Sequence, residues 1–168
     1  LYDVAKGERG ETAVLLAMLD ATSGFWKREL RGVKDEELRW QARKGGHSIG
    51  MTLLHISIAE HWWINGVAMG RAEDRALCER LLSDEVDQYK GVWPKPPARP
   101  KAWFVRQFKG VRAATRADLE GLDSMRHMGR YGDRVFSLRW ILHHLIEHEA
   151  YHTGQIVLLK DLYRARKR

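Results

Sequence analysis

Residues 148–152 read His-Glu-Ala-Tyr-His, a pattern in which two histidines stand four positions apart. On an α-helix such positions differ by only about 40° around the axis, so both imidazoles can reach one metal ion. Zinc proteases use this spacing, with the intervening glutamate as general base. The motif therefore predicts metal chemistry at His148 and His152 and poses the question of whether this chain is a protease.

The residues after His152 argue against a protease. Metzincins require a glycine and then a third histidine at the positions that Gln155 and Leu158 occupy here. Gluzincins take a glutamate from a later helix, but the sequence contains neither glutamate nor histidine beyond His152. A third ligand therefore has to come from an earlier part of the chain.

His55 is the best candidate for that ligand. It is the only histidine on the inward stripe of the second predicted helix, where Met51 and Trp62 flank it. Burying three imidazoles in an apolar core would cost folding free energy unless the three share an ion. Three neutral histidines with open positions make a catalytic type of site for zinc, nickel or another divalent metal. We therefore predict that His55, His148 and His152 bind a metal ion.

Two further histidines lie on the same predicted helix as His148. His144 falls on the inward stripe one turn earlier, so we expect either a hydrogen-bonded histidine beside the site or a fourth ligand. His143 falls almost opposite and is expected to face solvent. Glu149 could reach the site as a general base, but a carboxylate paired with a neighbouring cation is the commoner arrangement.

Three residues flank the stripe and could line a pocket: Trp62, Tyr151 and Gln155. Packing in the core is the better interpretation for Trp62, since aromatic residues at helical spacing are usually core residues.

The elements that must position these residues are helices. Amphipathic spacing predicts four long helices and a short one, at residues 11–30, 49–69, 101–119, 138–162 and 75–82. The stripe of the first helix contains seven residues: Val14, Leu15, Met18, Leu19, Thr22, Phe25 and Trp26. Ser48 and Ser137 are the expected N-caps of the second and fourth long helices.

The connections complete the predicted architecture. Residues 94–100 contain four prolines, which indicates an extended crossover over the surface. The glycines at 121, 129 and 132 predict a loop before the last helix. The pattern favours an all-α four-helix bundle over residues 1–168, one domain with a long crossover between its second and third long helices.

Composition narrows the class of protein. No apolar run approaches the ~20 residues of a membrane span, the start of the sequence has no secretory pattern, and the single cysteine, Cys78, excludes an internal disulfide. A cytoplasmic protein is expected.

Of the formal net charge of +7, +4 lies in residues 160–168. Such a tail is usually a solvated helix end, although it could bind an acidic partner. No nucleic-acid-binding motif supports a role with DNA or RNA.

Two stretches of the sequence resemble the DinB-like, or YfiT-like, family of metal-dependent enzymes. HSIGMTLLHISIAEHWW, residues 47–63, is similar to the family's Ser-Ile-Gly segment and the histidine that follows it. LRWILHHLIEHEAYHTGQI, residues 138–156, is similar to its C-terminal His-x-x-x-His-x-Gly-Gln-Ile pattern. Helix order, the long second connection and the total length also agree.

The resemblance implies a bundle of up-down-down-up topology, a homodimer and a divalent metal held by His55, His148 and His152. Characterised members of the family include S-transferases and a maleylpyruvate isomerase, which use low-molecular-weight thiols such as bacillithiol or mycothiol. The isomerase has a glutamate at the position of His148, so the all-histidine set looks more like the transferase branch.

The sequence thus leaves three functions open. In a transferase, a metal and a thiol cofactor would act on a small electrophilic substrate. In a hydrolase, the same ion would activate water. In a non-catalytic metal-binding module, a fourth ligand such as His144 would close the site.

Overall fold

The computed structural model describes residues 10–86 and 91–166. Within those residues there are six α-helices, one π-helical segment and one two-stranded sheet. In chain order they are α1 (Glu11–Glu29), α2 (Asp35–Arg39), α3 (Ile49–His61), the π segment (Trp62–Ala68), α4 (Arg75–Leu81), α5 (Lys101–Leu119), β1 (Met128–Tyr131), β2 (Arg134–Ser137) and α6 (Leu138–Ala165).

Side-chain caps begin the two helices that contain the predicted metal ligands. The Ser48 hydroxyl accepts a hydrogen bond from the Met51 N–H, and Ser137 does the same for Trp140. Each cap satisfies an amide that has no partner within its own helix. Both helices therefore begin where the sequence predicts.

The four long helices pack against one another through two apolar clusters. Helix α1 packs along α6, and α3 packs between α5 and α6. The first cluster is centred on Trp26, Phe104 and Phe108, and the second includes Leu19 and Ile141. The chain is thus mostly helical around these two clusters, while the up-down-down-up order stays a prediction.

The segment before α6 corrects the expectation of an all-α chain. Residues 128–137, predicted as a loop, form a hairpin in which Tyr131 pairs with Arg134. Gly132 adopts a φ of +56° in the two-residue turn, a conformation that glycine tolerates well. Gly129 lies against the π segment, where a Cβ would come within 2.4 Å of the Val67 carbonyl oxygen. Gly132 thus allows the tight turn of the hairpin, and Gly129 allows the hairpin to pack closely on the π segment.

The second predicted helix is continuous to Ala68, but its hydrogen bonding changes at Trp62. A π turn contains more residues than an α turn, so side chains beyond this point do not follow the α-helical stripe. Trp62 is 38% exposed and packs on Trp63 and Tyr131. The expectation that Trp62 packs in the core is therefore wrong.

The buried face of α1 is also rotated relative to the predicted stripe. Leu19, Thr22 and Trp26 are buried as expected. Val14, Met18 and Phe25, however, are 45–46% exposed. Apolar residues occupy more than one face of this helix, so spacing alone did not identify the face that meets α6.

The long connection from residue 69 to residue 100 contains α4 and the proline-rich stretch. The sequence predicted that this connection crosses the surface, and this is only partly correct. Trp93 is 1% exposed and belongs to the first apolar cluster. The Trp93 N–H donates to the Gly45 carbonyl, and the Gln41 amide donates to the Trp93 carbonyl. These bonds hold the connection against the loop that precedes α3.

In the described part of the chain, no helix combines the length and the apolar character that a membrane span requires.

Candidate metal centre

The three histidines predicted as ligands come together between α3 and α6. His148 Nε2 lies 3.0 Å from His55 Nε2 and 3.1 Å from His152 Nε2. One ligand atom from each of the three residues falls within 4.8 Å of the others. His55 and His152 are buried, whereas His148 is partly accessible. Three imidazoles thus converge on one point that solvent can still approach.

Hydrogen bonds on the far side of two rings fix their tautomers. His55 Nδ1 lies 2.9 Å from the Val86 carbonyl oxygen, and His152 Nδ1 lies 2.7 Å from the Gln155 side-chain oxygen. Because these oxygens can only accept, each Nδ1 has to carry the hydrogen. Each Nε2 therefore presents a lone pair towards His148, as a metal-ligating imidazole does.

The surroundings keep the imidazoles in the neutral form that binds metals. Burial, reinforced by His152, His55 and His144, lowers the pKa of His148 to about 2. Burial also lowers the pKa of His152 to about 4, against the opposing effect of the Gln155 hydrogen bond. Protons therefore compete poorly for these nitrogens near neutral pH.

The donor set fits a divalent cation. Two nitrogens bound to one ion at about 2.1 Å lie about 3.0 Å apart at a right angle and about 3.4 Å apart at the tetrahedral angle. The separations of 3.0 and 3.1 Å are close to these values. A hydrogen on His148 Nε2 could bond to the lone pair of either His55 or His152, but not to both. A cation can instead bind the Nε2 lone pairs of all three histidines. Imidazole ligands suit zinc, nickel, copper and iron.

His144 lies beside the trio without joining it. Its ring stacks on Trp140 with centroids 5.0 Å apart and contacts Trp63 at the same distance. The centroid of His148 is 5.8 Å away, and His144 is not in the group whose ligand atoms converge. Burial lowers its pKa. The predicted solvent position of His143 is confirmed, since its side chain is 61% exposed beside Glu147.

Glu149 faces away from the three histidines, into the bundle. Its carboxylate accepts hydrogen bonds from Trp26 Nε1 and from the guanidinium of Arg112, the latter at 3.1 Å. The residue is 2% exposed. Burial raises the pKa of Glu149, and Arg112 opposes that effect. The carboxylate is thus engaged by a cation and an indole, as the ion-paired interpretation expected.

The remaining predicted pocket residues divide between the site and the surface. Gln155 contacts the site directly through His152. The centroid of the Tyr151 ring lies 5.1 Å from that of His152, but Tyr151 is 65% exposed. Trp62 packs only on Trp63 and Tyr131 among the ring contacts of the described residues.

Sequence reasoning missed two aromatic neighbours of the site. His47 stacks on Trp93 with centroids 4.0 Å apart, and the Gln155 side chain opposes the lowering of the pKa of His47 by burial. The Trp93 centroid lies 5.4 Å from that of His55, so the Trp93 ring contacts both histidines. His47 could have been noticed, because it begins the motif at residues 47–63 that resembles the family. Its partner Trp93 could not, because Trp93 belongs to the proline-rich connection, whose packing the sequence does not reveal.

Two other predicted features lie away from this centre. Cys78 in α4 is buried, and burial with the neighbouring Glu73 raises the pKa of its thiol to about 11. In the basic tail, Lys160 pairs with Glu29 and Arg164 with Glu37, so its first turns are packed rather than fully solvated. The last two residues, 167 and 168, lie outside the described part.

Comparisons with known proteins agree with this fold. A solved structure, described as the conserved protein of locus from Enterococcus faecalis, is similar with a TM-score of 0.70 and 14% identity. The match covers 92% of this chain and 98% of that one, and at this identity it shows the fold alone. No curated protein matches the chain significantly.

The model of one protein family, described as Mycothiol-S-transferase, matches residues 14–165. That family lies within the DinB/YfiT-like superfamily, which confirms the resemblance found in the two sequence motifs. Because the match includes all three converging histidines and nearly the whole chain, this protein belongs to the mycothiol S-transferase family.

Proposed function

We propose that this protein is a metal-dependent S-transferase that joins a low-molecular-weight thiol, such as mycothiol, to a small electrophile. His55, His148 and His152 would bind the divalent ion, zinc or nickel being the leading candidates. The observation that carries the proposal is the convergence of the three Nε2 atoms in a member of this family.

The chemistry needs a thiolate at neutral pH. A divalent ion bound to the three histidines would supply a Lewis acid that lowers the pKa of a thiol. The sulfur would then attack an electrophilic carbon, forming a C–S bond as the leaving group departs with the electron pair of the broken bond. The carbonyl of Val86 and the side chain of Gln155 would keep the lone pairs of His55 and His152 directed at such an ion.

The thiol has to be a separate molecule. Cys78 is the only cysteine in the sequence, and its pKa of about 11 keeps the buried thiol protonated near neutral pH. A residue in this state is a poor nucleophile. This observation favours a small-molecule thiol as co-substrate.

The two alternative functions have less support. A hydrolase would need a base for water, and Glu149 is already paired with Arg112. A closed, non-catalytic site would need a fourth ligand, and His144 instead stacks on Trp140. An open three-histidine site is the arrangement that catalytic zinc commonly adopts.

An assay with and without thiol tests the proposal. Purified protein should consume a reactive electrophile, such as monochlorobimane, much faster than the uncatalysed reaction when mycothiol is present. His148→Ala should lose this activity, and Cys78→Ala should keep it. Turnover that is independent of added thiol would contradict the transferase and favour the hydrolase.

We further propose that the four long helices follow the up-down-down-up order of a single bundle domain and that the protein is a homodimer. Exposed apolar residues occur on α1 at Val14, Met18 and Phe25, and on α6 at Leu158 and Leu162. Because α1 packs along α6, these residues favour an interface on that side of the bundle.

A further inference from the structure

A polar layer separates the two apolar clusters of the core. On each long helix, at least one buried polar residue lies between the residues of the first cluster and those of the second. Four of them are joined by hydrogen bonds of the Arg112 side chain and are each 0–6% exposed: Ser23 on α1, Glu60 on α3, Arg112 itself on α5 and Glu149 on α6. The four helices therefore meet at one polar level inside the bundle.

Arg112 occupies the centre of this layer and uses all five of its N–H groups. Its Nε donates to Glu60 at 2.8 Å, and one terminal nitrogen donates to Glu60 at 2.9 Å and to Glu149 at 3.1 Å. The other terminal nitrogen donates to Asp20 at 2.7 Å and to Ser23 at 3.0 Å. A planar guanidinium with five fixed donor directions specifies where each acceptor has to lie.

Two of these acceptors, Glu60 on α3 and Glu149 on α6, belong to the helices that contain the predicted metal ligands. Glu149 lies between His148 and His152 along α6, and its other contact is the Trp26 indole on α1. At about 100° per residue, fixing the direction of Glu149 also fixes the directions in which both imidazoles leave the helix. Glu60 lies five residues after His55 and constrains α3 in the same way.

Stability alone does not account for such a cluster. A buried ion pair can often be replaced by apolar residues of similar size with little loss, or even a gain, in stability. Such groups can instead specify one arrangement of the helices. Here the arrangement that they specify is the rotation of α3 and α6 that brings His55 Nε2 to 3.0 Å from His148 Nε2.

We propose that Arg112 is a positioning residue for the metal centre: through Glu60 and Glu149 it sets the rotation of α3 against α6 and so holds the three Nε2 atoms together. This inference rests on the proposed function, in that it takes His55, His148 and His152 as the ligand set.

Cobalt binding tests the proposal through the geometry of the site. Co²⁺ affinity and the visible absorption of the Co²⁺ protein would be measured for Arg112→Met and Glu149→Gln. Val111→Ala is the matched control, because it removes buried volume from α5 beside Arg112 without touching the layer. We expect both test variants to bind Co²⁺ at least about tenfold more weakly and with an altered spectrum, as for other residues that orient metal ligands. Val111→Ala should lower the free energy of unfolding but should change neither the Co²⁺ affinity nor the visible spectrum.

A second measurement needs no metal. Nitrogen-15 NMR of the imidazoles in metal-free protein reports the tautomers of His55 and His152, and both test variants should shift these signals while Val111→Ala should not. If Arg112→Met does not fold, Glu149→Gln carries the test. Unchanged imidazole signals and unchanged Co²⁺ affinity in a folded test variant would overturn the proposal. Wild-type protein that binds no Co²⁺ but has imidazole signals sensitive to Glu149→Gln would contradict the metal-dependent function and support the positioning role.

Discussion

At the scale of single residues, the sequence predicted which three histidines come together but not what orients their rings. The four-residue spacing of His148 and His152 and the inward position of His55 follow from helix periodicity, and the three residues do meet. The carbonyl of Val86, 31 residues from His55, could not be predicted because every residue has one. The burial of Arg112 could not be predicted either, because an arginine in an amphipathic helix is ordinarily a surface residue.

The Gln155 side chain should determine how well His152 binds metal. Gln155→Leu removes the acceptor for the His152 Nδ1 hydrogen, so we expect metal affinity to fall roughly 10- to 100-fold. Competition with a chromophoric chelator measures this change. Gln155→Glu keeps an acceptor oxygen and should retain most of the affinity. Equal affinities for the leucine and glutamate variants would contradict the role of this hydrogen bond.

The thiol of Cys78 should react only at high pH. Its pKa is raised from 9.0 to about 11, so at pH 8 about 0.1% is thiolate, against about 10% for an unperturbed thiol. The rate of alkylation by iodoacetamide in folded protein should therefore keep rising between pH 9 and pH 10.5. In urea, where the pKa should be close to the ordinary 9.0, the rate should approach its plateau by about pH 10. A plateau by about pH 10 in the folded protein would contradict the raised pKa.

At the scale of elements, the helices were predicted more reliably than the segments between them. Serine caps and apolar spacing are local signals, and α3 and α6 begin where those signals lie. The hairpin was missed because its glycines also fit a loop. The buried face of α1 was misplaced at Val14, Met18 and Phe25 because apolar residues occur on several sides of that helix. In each case the missing information is the neighbour that the element packs against.

The contact between the hairpin and the π segment should not tolerate a side chain at Gly129. A Cβ there would lie 2.4 Å from the Val67 carbonyl oxygen, so we expect Gly129→Ala to lower the free energy of unfolding by about 1–3 kcal/mol. Urea denaturation measures the change. Gly110→Ala is the control: this helical position is exposed and has no atom within 4 Å of an added Cβ, so stability should rise by about 0.5–1 kcal/mol. A neutral Gly129→Ala would show that the two elements pack less closely.

At the scale of the whole molecule, the bundle consists of two apolar clusters with a polar layer between them. Long-range contacts of this kind depend on the relative rotation of four helices, which composition and periodicity do not specify. The sequence therefore predicted a helical core with an inward histidine stripe, and it did not predict the layer around Arg112.

The apolar residues exposed on α1 and α6 should form the dimer interface. Sedimentation should give the mass of two 19.5 kDa chains for the wild type, and Met18→Glu should shift the protein towards the monomer by burying a charge in that interface. Met125→Glu, at a 54% exposed position in the loop before the hairpin, should leave the mass unchanged. A wild-type monomer, or a Met18→Glu dimer of unchanged affinity, would contradict this interface.

Metal content tests the central claim most directly. Elemental analysis of purified wild-type protein should find about one divalent ion per chain, and His55→Ala and His148→Ala should each lose it because three nitrogens converge on one point. His143→Ala, on the exposed side of the same helix, is the control and should retain the ion. Equal metal content in the wild type and in both ligand variants would contradict the three-histidine centre.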